Sequence, residues 1–119
     1  MGAAEVIERL RAIAPVHAVR GNNDEGPWAA ALPLRLVLQW ADVRIQVLHD
    51  VKELEGDPAA AGFQAVIAGH SHKPSVVERS GVLFVNPGSA GPKRFKLPVT
   101  VGYLILADGS ARGEIRTIV

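Results

Sequence analysis

The feature that most narrows the possible folds is a set of short apolar runs, each stopping abruptly in a polar loop. Ala65-Val66-Ile67-Ala68 empties into Gly69-His70-Ser71-His72, and Val16-His17-Ala18-Val19 into Arg20-Gly21-Asn22-Asn23-Asp24. Val43, Ile45 and Val47, alternating with Arg44, Gln46 and Leu48, end in His49-Asp50, and Val82 to Val85 end in Asn86-Pro87-Gly88-Ser89. Runs of this length, rich in β-branched residues and bounded by Gly, Asn and Pro, predict strands. Ligand sites in open α/β sheets lie beyond the carboxyl ends of strands, so the chemistry is expected in these loops.

The remaining elements fit the same class. Val6, Leu10 and Ile13, joined by Ile7 and Ala14, recur at helical spacing and are stopped by Pro15. After a loop at Pro27-Trp28, Leu34, Leu36 and Leu38 alternate with Arg35, Val37 and Gln39, predicting a hairpin of two half-buried strands turned at Trp40-Ala41-Asp42. Asp57 followed by Pro58 predicts an N-cap and first-turn proline, opening a short helix to about Phe63. Two further hairpins are expected: Val76 to Val85 through Arg79-Ser80-Gly81, and Val99 to Val119 through Asp108-Gly109, its second strand running from Gly113. The tally is about eight strands and two helices, a β-rich α/β chain.

Composition excludes several classes. The 119 residues are 48% hydrophobic, which suits one globular domain or part of one rather than a disordered segment. Thirteen Lys and Arg against twelve Asp and Glu leave a formal charge of +1 with no basic block, so neither nucleic acid nor a membrane surface is an expected partner. No apolar run is long enough for a membrane span and the first residues lack a signal-peptide layout, which makes a cytoplasmic location the expectation. The absence of cysteine removes disulfides, thiolate metal sites and thiol nucleophiles.

What remains is histidine. His49, His70 and His72, with Asn22, directly follow predicted strands, and neutral imidazoles and amide oxygens are good ligands for borderline divalent ions. If the segment is extended, His70 and His72 point into one pocket with Ser71 turned out, and Gly69 lets the backbone approach closely. His17, inside an apolar run, reads as a packed or edge histidine, and Asn86-Pro87-Gly88-Ser89 as a tight turn.

Gly21-Asn22-Asn23-Asp24, His49, then Gly69-His70-Ser71-His72 resemble, in order and spacing, the latter half of the calcineurin-like metallophosphoesterases, in particular their small bacterial and archaeal phosphodiesterase branch. Asn86-Pro87-Gly88-Ser89 and Gly91-Pro92-Lys93-Arg94-Phe95 also resemble that branch, to which the metal-poor retromer scaffold subunit is similar. The similarity runs from about Val6 to Val119. The family's opening DxH block does not occur here, and the sole Gly-Asp, Gly56-Asp57, lies outside the family's position for the bridging Asp. The resemblance therefore implies an incomplete calcineurin-like β-sandwich flanked by helices, one partial domain over 1–119, lacking the first strand–helix–strand unit.

It further implies that Asn22, His49 and His70 ligate one metal and His72 the other, with Asp24 and Asp50 as auxiliary groups and Lys93 or Arg94 as phosphate contacts. The complete family site holds two divalent ions, foremost Mn2+, with Mg2+, Ni2+, Fe2+ or Zn2+ as alternatives. Without the carboxylates of the missing blocks, this chain alone is expected to hold at most one, weakly. The implied activity of the complete form is two-metal hydrolysis of a small phosphodiester. Asn23 stands where many relatives carry a His, and an amide cannot supply a proton near neutral pH, so a good leaving group such as an aryl phosphate is favoured. The chain by itself is expected to be inactive, and homo-oligomeric or covered by a separate chain where strands are missing. The alternative implied is a non-catalytic, metal-poor scaffold similar to the retromer subunit.

Overall fold

The computed structural model describes residues 4–21, 26–40, 42–90, 97–107 and 109–118. In chain order it contains α1 (Ala4–Arg11), α2 (Pro27–Ala30), β1 (Arg35–Trp40), β2 (Val43–Leu48), a 3-10 turn at Val51–Glu53, β3 (Ala65–Ala68), β4 (Ser75–Arg79), β5 (Val82–Asn86), β6 (Thr100–Ala107) and β7 (Ser110–Thr117). Five strands form one mixed sheet in the order β1-β2-β3-β5-β4, and β6 and β7 form a separate antiparallel pair.

The hairpins follow from local sequence. β1 pairs with β2 with Trp40 opposite Val43, and β4 pairs with β5 across Ser80-Gly81, both of which take positive φ (52° and 80°) as a tight two-residue turn requires. β3 lies parallel to β2 on one side and to β5 on the other. A strand in that position is buried on both faces, so Ala65-Val66-Ile67-Ala68 is apolar without alternation. The same holds for β2, which is buried on both faces rather than half-buried; its Gln46 is enclosed beside Val66.

The register sets two faces. Ile45, Ala65 and Leu83 align across β2, β3 and β5 on one face, where Leu104, Leu106 and Ala111 of β6 and β7 pack over them. On the other face Gln46, Val66, Phe84 and Val77 form a row, and Leu48 stands beside Ala68. That face is only partly covered, by Leu54 and Ala59 of the segment between β2 and β3. The covering segment is pinned at its far end. Arg44 lies over the Phe63 ring, 4.6 Å from its centroid, and donates to the Ala61 carbonyl, while Gln64 accepts from the Arg44 amide and donates to the Asp42 carbonyl.

Several expectations are corrected. The Asp57–Phe63 stretch is a set of turns, not a helix: Asp57 Oδ1 does accept from the Ala59 amide at 3.0 Å, but Gly62, at φ 84°, closes the run. Conversely, Pro27-Trp28 opens the one-turn α2 rather than a loop, because proline suits the first helical position. β7 starts at Ser110, earlier than the predicted Gly113, because the ladder with β6 already pairs Ser110 with Ala107. α1 ends at Arg11, followed by turns before Pro15; Ile7 is buried, whereas Val6, Leu10 and Ile13 (83%) are exposed. Val16–Val19 is not a strand, and His17 is exposed. A strand exists only where a neighbour completes its ladder, and the backbone bond tying this stretch to another described segment is Arg20 N–H to the Pro33 carbonyl, 2.9 Å.

Candidate metal centre

Parallel pairing is what gathers the histidines. Leu48 aligns with Ala68, so the residues that follow, His49 and Gly69, leave the sheet side by side, and the Gly69 amide donates to the His49 carbonyl at 2.8 Å. The two loops then turn their side chains toward each other. His49 Nε2 stands 3.1 Å from His70 Nδ1, with the rings 5.1 Å apart and nearly perpendicular. Beyond His70, its Nε2 lies 3.7 Å from Asp50 Oδ2. Asp50 is itself fixed, because its Oδ1 caps the 3-10 turn by accepting from the Lys52 amide at 3.0 Å. The carboxylate is 18% exposed and the imidazole 44%, so the pair is open to solvent on the His70 side.

The extended geometry expected for His70-Ser71-His72 does not form. His70 and His72 both have positive φ, 72° and 62°, and Ser71 donates its amide to the Gly69 carbonyl in a tight turn. Ser71 is consequently not turned away: its Oγ accepts from Asn86 Nδ2 at 3.0 Å. No hydrogen bond, ion pair or ring contact joins His72 to His49 or His70 among the described residues. His72 Nδ1 is instead buried without a hydrogen-bond partner. Left so, such an atom costs about 1–3 kcal/mol of desolvation. Nor is Gly69 needed for close approach, since a Cβ there would sit 3.7 Å from the His49 carbonyl, an ordinary contact.

Asn86 is the residue that strand-and-turn reasoning passed over. Its Nδ2 donates to the Gly69 carbonyl and to Ser71, while its Oδ1 accepts from the Gly88 amide at 3.0 Å. It therefore ties the histidine loop to the turn after β5. The available signal was positional: an Asn ending a strand parallel to β3 must face the loop that leaves β3. Gly88, at φ 78°, lets that turn close against Thr100, whose Oγ1 donates to the Pro87 carbonyl and which any Cβ at position 88 would strike.

The donor set can be tested against a divalent ion. Two nitrogens sharing one ion at about 2.0–2.1 Å, at tetrahedral or octahedral angles, stand roughly 2.8–3.4 Å apart. The His49–His70 separation of 3.1 Å falls in that range, and the orphaned His72 Nδ1 is a buried ring nitrogen that a cation would satisfy in its unprotonated form. No three His, Asp, Glu or Cys side chains gather at metal-binding distance among the described residues. Asn22, Asp24, Lys93 and Arg94 lie outside the described residues. The histidines thus fit a metal as a pair plus one.

Residues 1–109 match the family model described as the calcineurin-like phosphoesterase superfamily domain. A probable metallophosphoesterase of Methanocaldococcus jannaschii is 33% identical over 93 residues, covering 71% of this chain and 46% of that protein. The chain spans about half the length of the curated relatives it matches, 46% and 58%. Among solved structures, Vps29 of Chaetomium thermophilum superposes with TM-score 0.75 at 19% identity, over 98% of this chain and 75% of that one. A novel archaeal phosphodiesterase superposes with TM-score 0.68 at 19% identity, over 97% and 78%. At those identities the likeness is one of fold, which agrees with the mixed α/β sheet described above. With nearly its whole length matched, and with histidines gathered at the ends of parallel strands, the chain belongs to the calcineurin-like phosphoesterase superfamily.

Proposed function

We propose that the complete form of this protein is a metal-dependent phosphodiesterase and that this chain carries part of its metal site. The convergence of His49 Nε2 and His70 Nδ1 at 3.1 Å is the observation that carries the reading. Asn22, His49 and His70 would hold one divalent ion and His72 the other, manganese being the first candidate. Bound there, the ions would polarise phosphoryl oxygens and lower the pKa of a bound water until it is nucleophilic at neutral pH. The chain's own residues orient and screen. Asp50, facing His70 Nε2, favours the proton on that nitrogen and so leaves Nδ1 free to coordinate. Asn86 holds the loop that presents the histidines. Lys93 or Arg94 would meet a non-bridging phosphate oxygen, with Asp24 as a further auxiliary group. With Asn23 unable to supply a proton, the preferred substrate is a small diester with a good leaving group.

The chain is one partial domain in this reading, cytoplasmic, and completed by a second copy or another chain. No described helix is long and apolar enough to cross a membrane. The test is manganese-dependent hydrolysis of an aryl phosphodiester by the complete protein, beside His49→Ala and His70→Ala. Each substitution is expected to lower the rate at least about a hundredfold. Hydrolysis unchanged in both variants would remove these histidines from the reaction.

A second reading, a metal-poor scaffold resembling the retromer subunit, draws on one observation. An apolar slot lined by Leu38, Trp40, Ile45, Ile67, Leu104 and Leu106 opens between the two sheets. Absence of hydrolysis by the complete protein, with no manganese binding at His49 and His70, would favour it.

A further inference from the structure

The partly covered face of the five-stranded sheet contains a concavity of about 450 Å3, within the range of roughly 300–1,000 Å3 typical of small-molecule sites. It exists because the turns between β2 and β3 cover only one part of that face. Its floor is apolar: Val66 and Ala68 of β3, Val77 of β4 and Phe84 of β5. Its rim is cationic, with Lys52, Lys73 and Arg79 all exposed. Arg79 holds its guanidinium 5.9 Å from the Phe84 ring centroid. None of the three cations is in an ion pair with a described residue. The one carboxylate of the lining, Asp50, is already engaged with the Lys52 amide and faces His70. One end of the pocket is thus the candidate metal centre, since Gly69, His70 and Asn86 also line it.

We propose that this pocket binds an aryl phosphate, the flat organic group lying on Val77 and Phe84 and the anionic group meeting Lys73 and Arg79. The chemistry selects this class. A flat ring recovers apolar area on a floor that water would otherwise wet, and unpaired cations beside that floor attract an anion more strongly than they would in open solvent. An anion without an organic group leaves the floor wet, and a neutral ring leaves the cations unanswered. The proposal deepens the hydrolytic reading, and rests on it in assigning the pocket to that reaction's substrate.

The test separates the two. The complete protein, in EDTA and therefore without metal, is titrated with diphenyl phosphate and, separately, with inorganic phosphate while backbone amide shifts are followed by NMR. Saturable shifts at Ala68, Val77 and Phe84 are expected, with diphenyl phosphate bound at least about tenfold more tightly than inorganic phosphate. Lys73→Glu and Arg79→Glu, both at exposed positions that leave the core untouched, are each expected to weaken it about tenfold. Val77→Phe, which fills the floor, is expected to weaken it as well. Equal affinity for the two anions, affinity unchanged in all three variants, or shifts confined to β6 and β7 would overturn the proposal. Metal-free binding that responds to the variants, in a protein that hydrolyses no diester, would leave the pocket standing and sink the hydrolytic reading. Hydrolysis whose kcat/KM ignores Lys73→Glu and Arg79→Glu would do the reverse.

Discussion

The two faces of the five-stranded sheet are built from the same strands yet finished differently. Over Ile45, Ala65 and Leu83 lie Leu104, Leu106 and Ala111 of an eight-residue hairpin pair, and Ile45 is 0% exposed. Over Val66 and Phe84 lie only turns, and the neighbouring Val77 remains 42% exposed. The lesson is that the cover over Ile45 and Ala65 serves stability, while on the second face, where Val66 itself is buried, the uncovered surface toward Val77 leaves an apolar area beside the histidines for a ligand to use.

The comparison breaks most readily at Ile45. Ile45→Ala is expected to cost about 3–4 kcal/mol in urea unfolding, because its cavity lies between two fixed layers. A loss below about 1 kcal/mol would mean that the hairpin does not seal that face. Next comes Asn86→Ala, expected to cost about 1–2 kcal/mol by leaving the Gly69 carbonyl and Ser71 without their donor. Faster amide exchange across 69–72 is expected with it, and unchanged exchange would show that the loop holds itself. His72→Leu sharpens the contrast with its sign. Replacing an imidazole whose Nδ1 is buried and unpartnered is expected to raise stability in EDTA by about 1 kcal/mol, and to leave in place any stability added by a manganese ion at His49 and His70. Destabilisation in EDTA would point to packing that the orphaned nitrogen conceals. The smallest effect belongs to Val77→Ala, within about 0.5 kcal/mol, as for other half-exposed sites. Parity of Val77→Ala with Ile45→Ala would erase the distinction between the faces.

Much of this was legible in the residues, and the failures share a cause. Apolar runs and turn pairs marked β1 to β5 correctly, because hairpins and buried strands are set by local chemistry. The GHSH loop was located, but its geometry was not. Alternation holds only while the backbone is extended, and His70 and His72 both leave that region. Val16–Val19 has a strand's composition without a strand's neighbour, a property no local pattern contains. Asn86 looked like punctuation because its partners, Gly69 and Ser71, are distant in sequence.

The parallel ladders that gather the site carry a kinetic consequence. β4 with β5, and β6 with β7, are antiparallel pairs of strands adjacent in sequence, and such hairpins form in about 1–10 μs. β2 with β3, and β3 with β5, must instead close long intervening segments before any contact rewards them, which is the slow class of pairing. His49 and His70 are 21 residues apart, and Asn86 and Gly69 are 17. The histidine cluster therefore assembles among the last parts of the sheet, and during refolding its signals should appear after those of the hairpins.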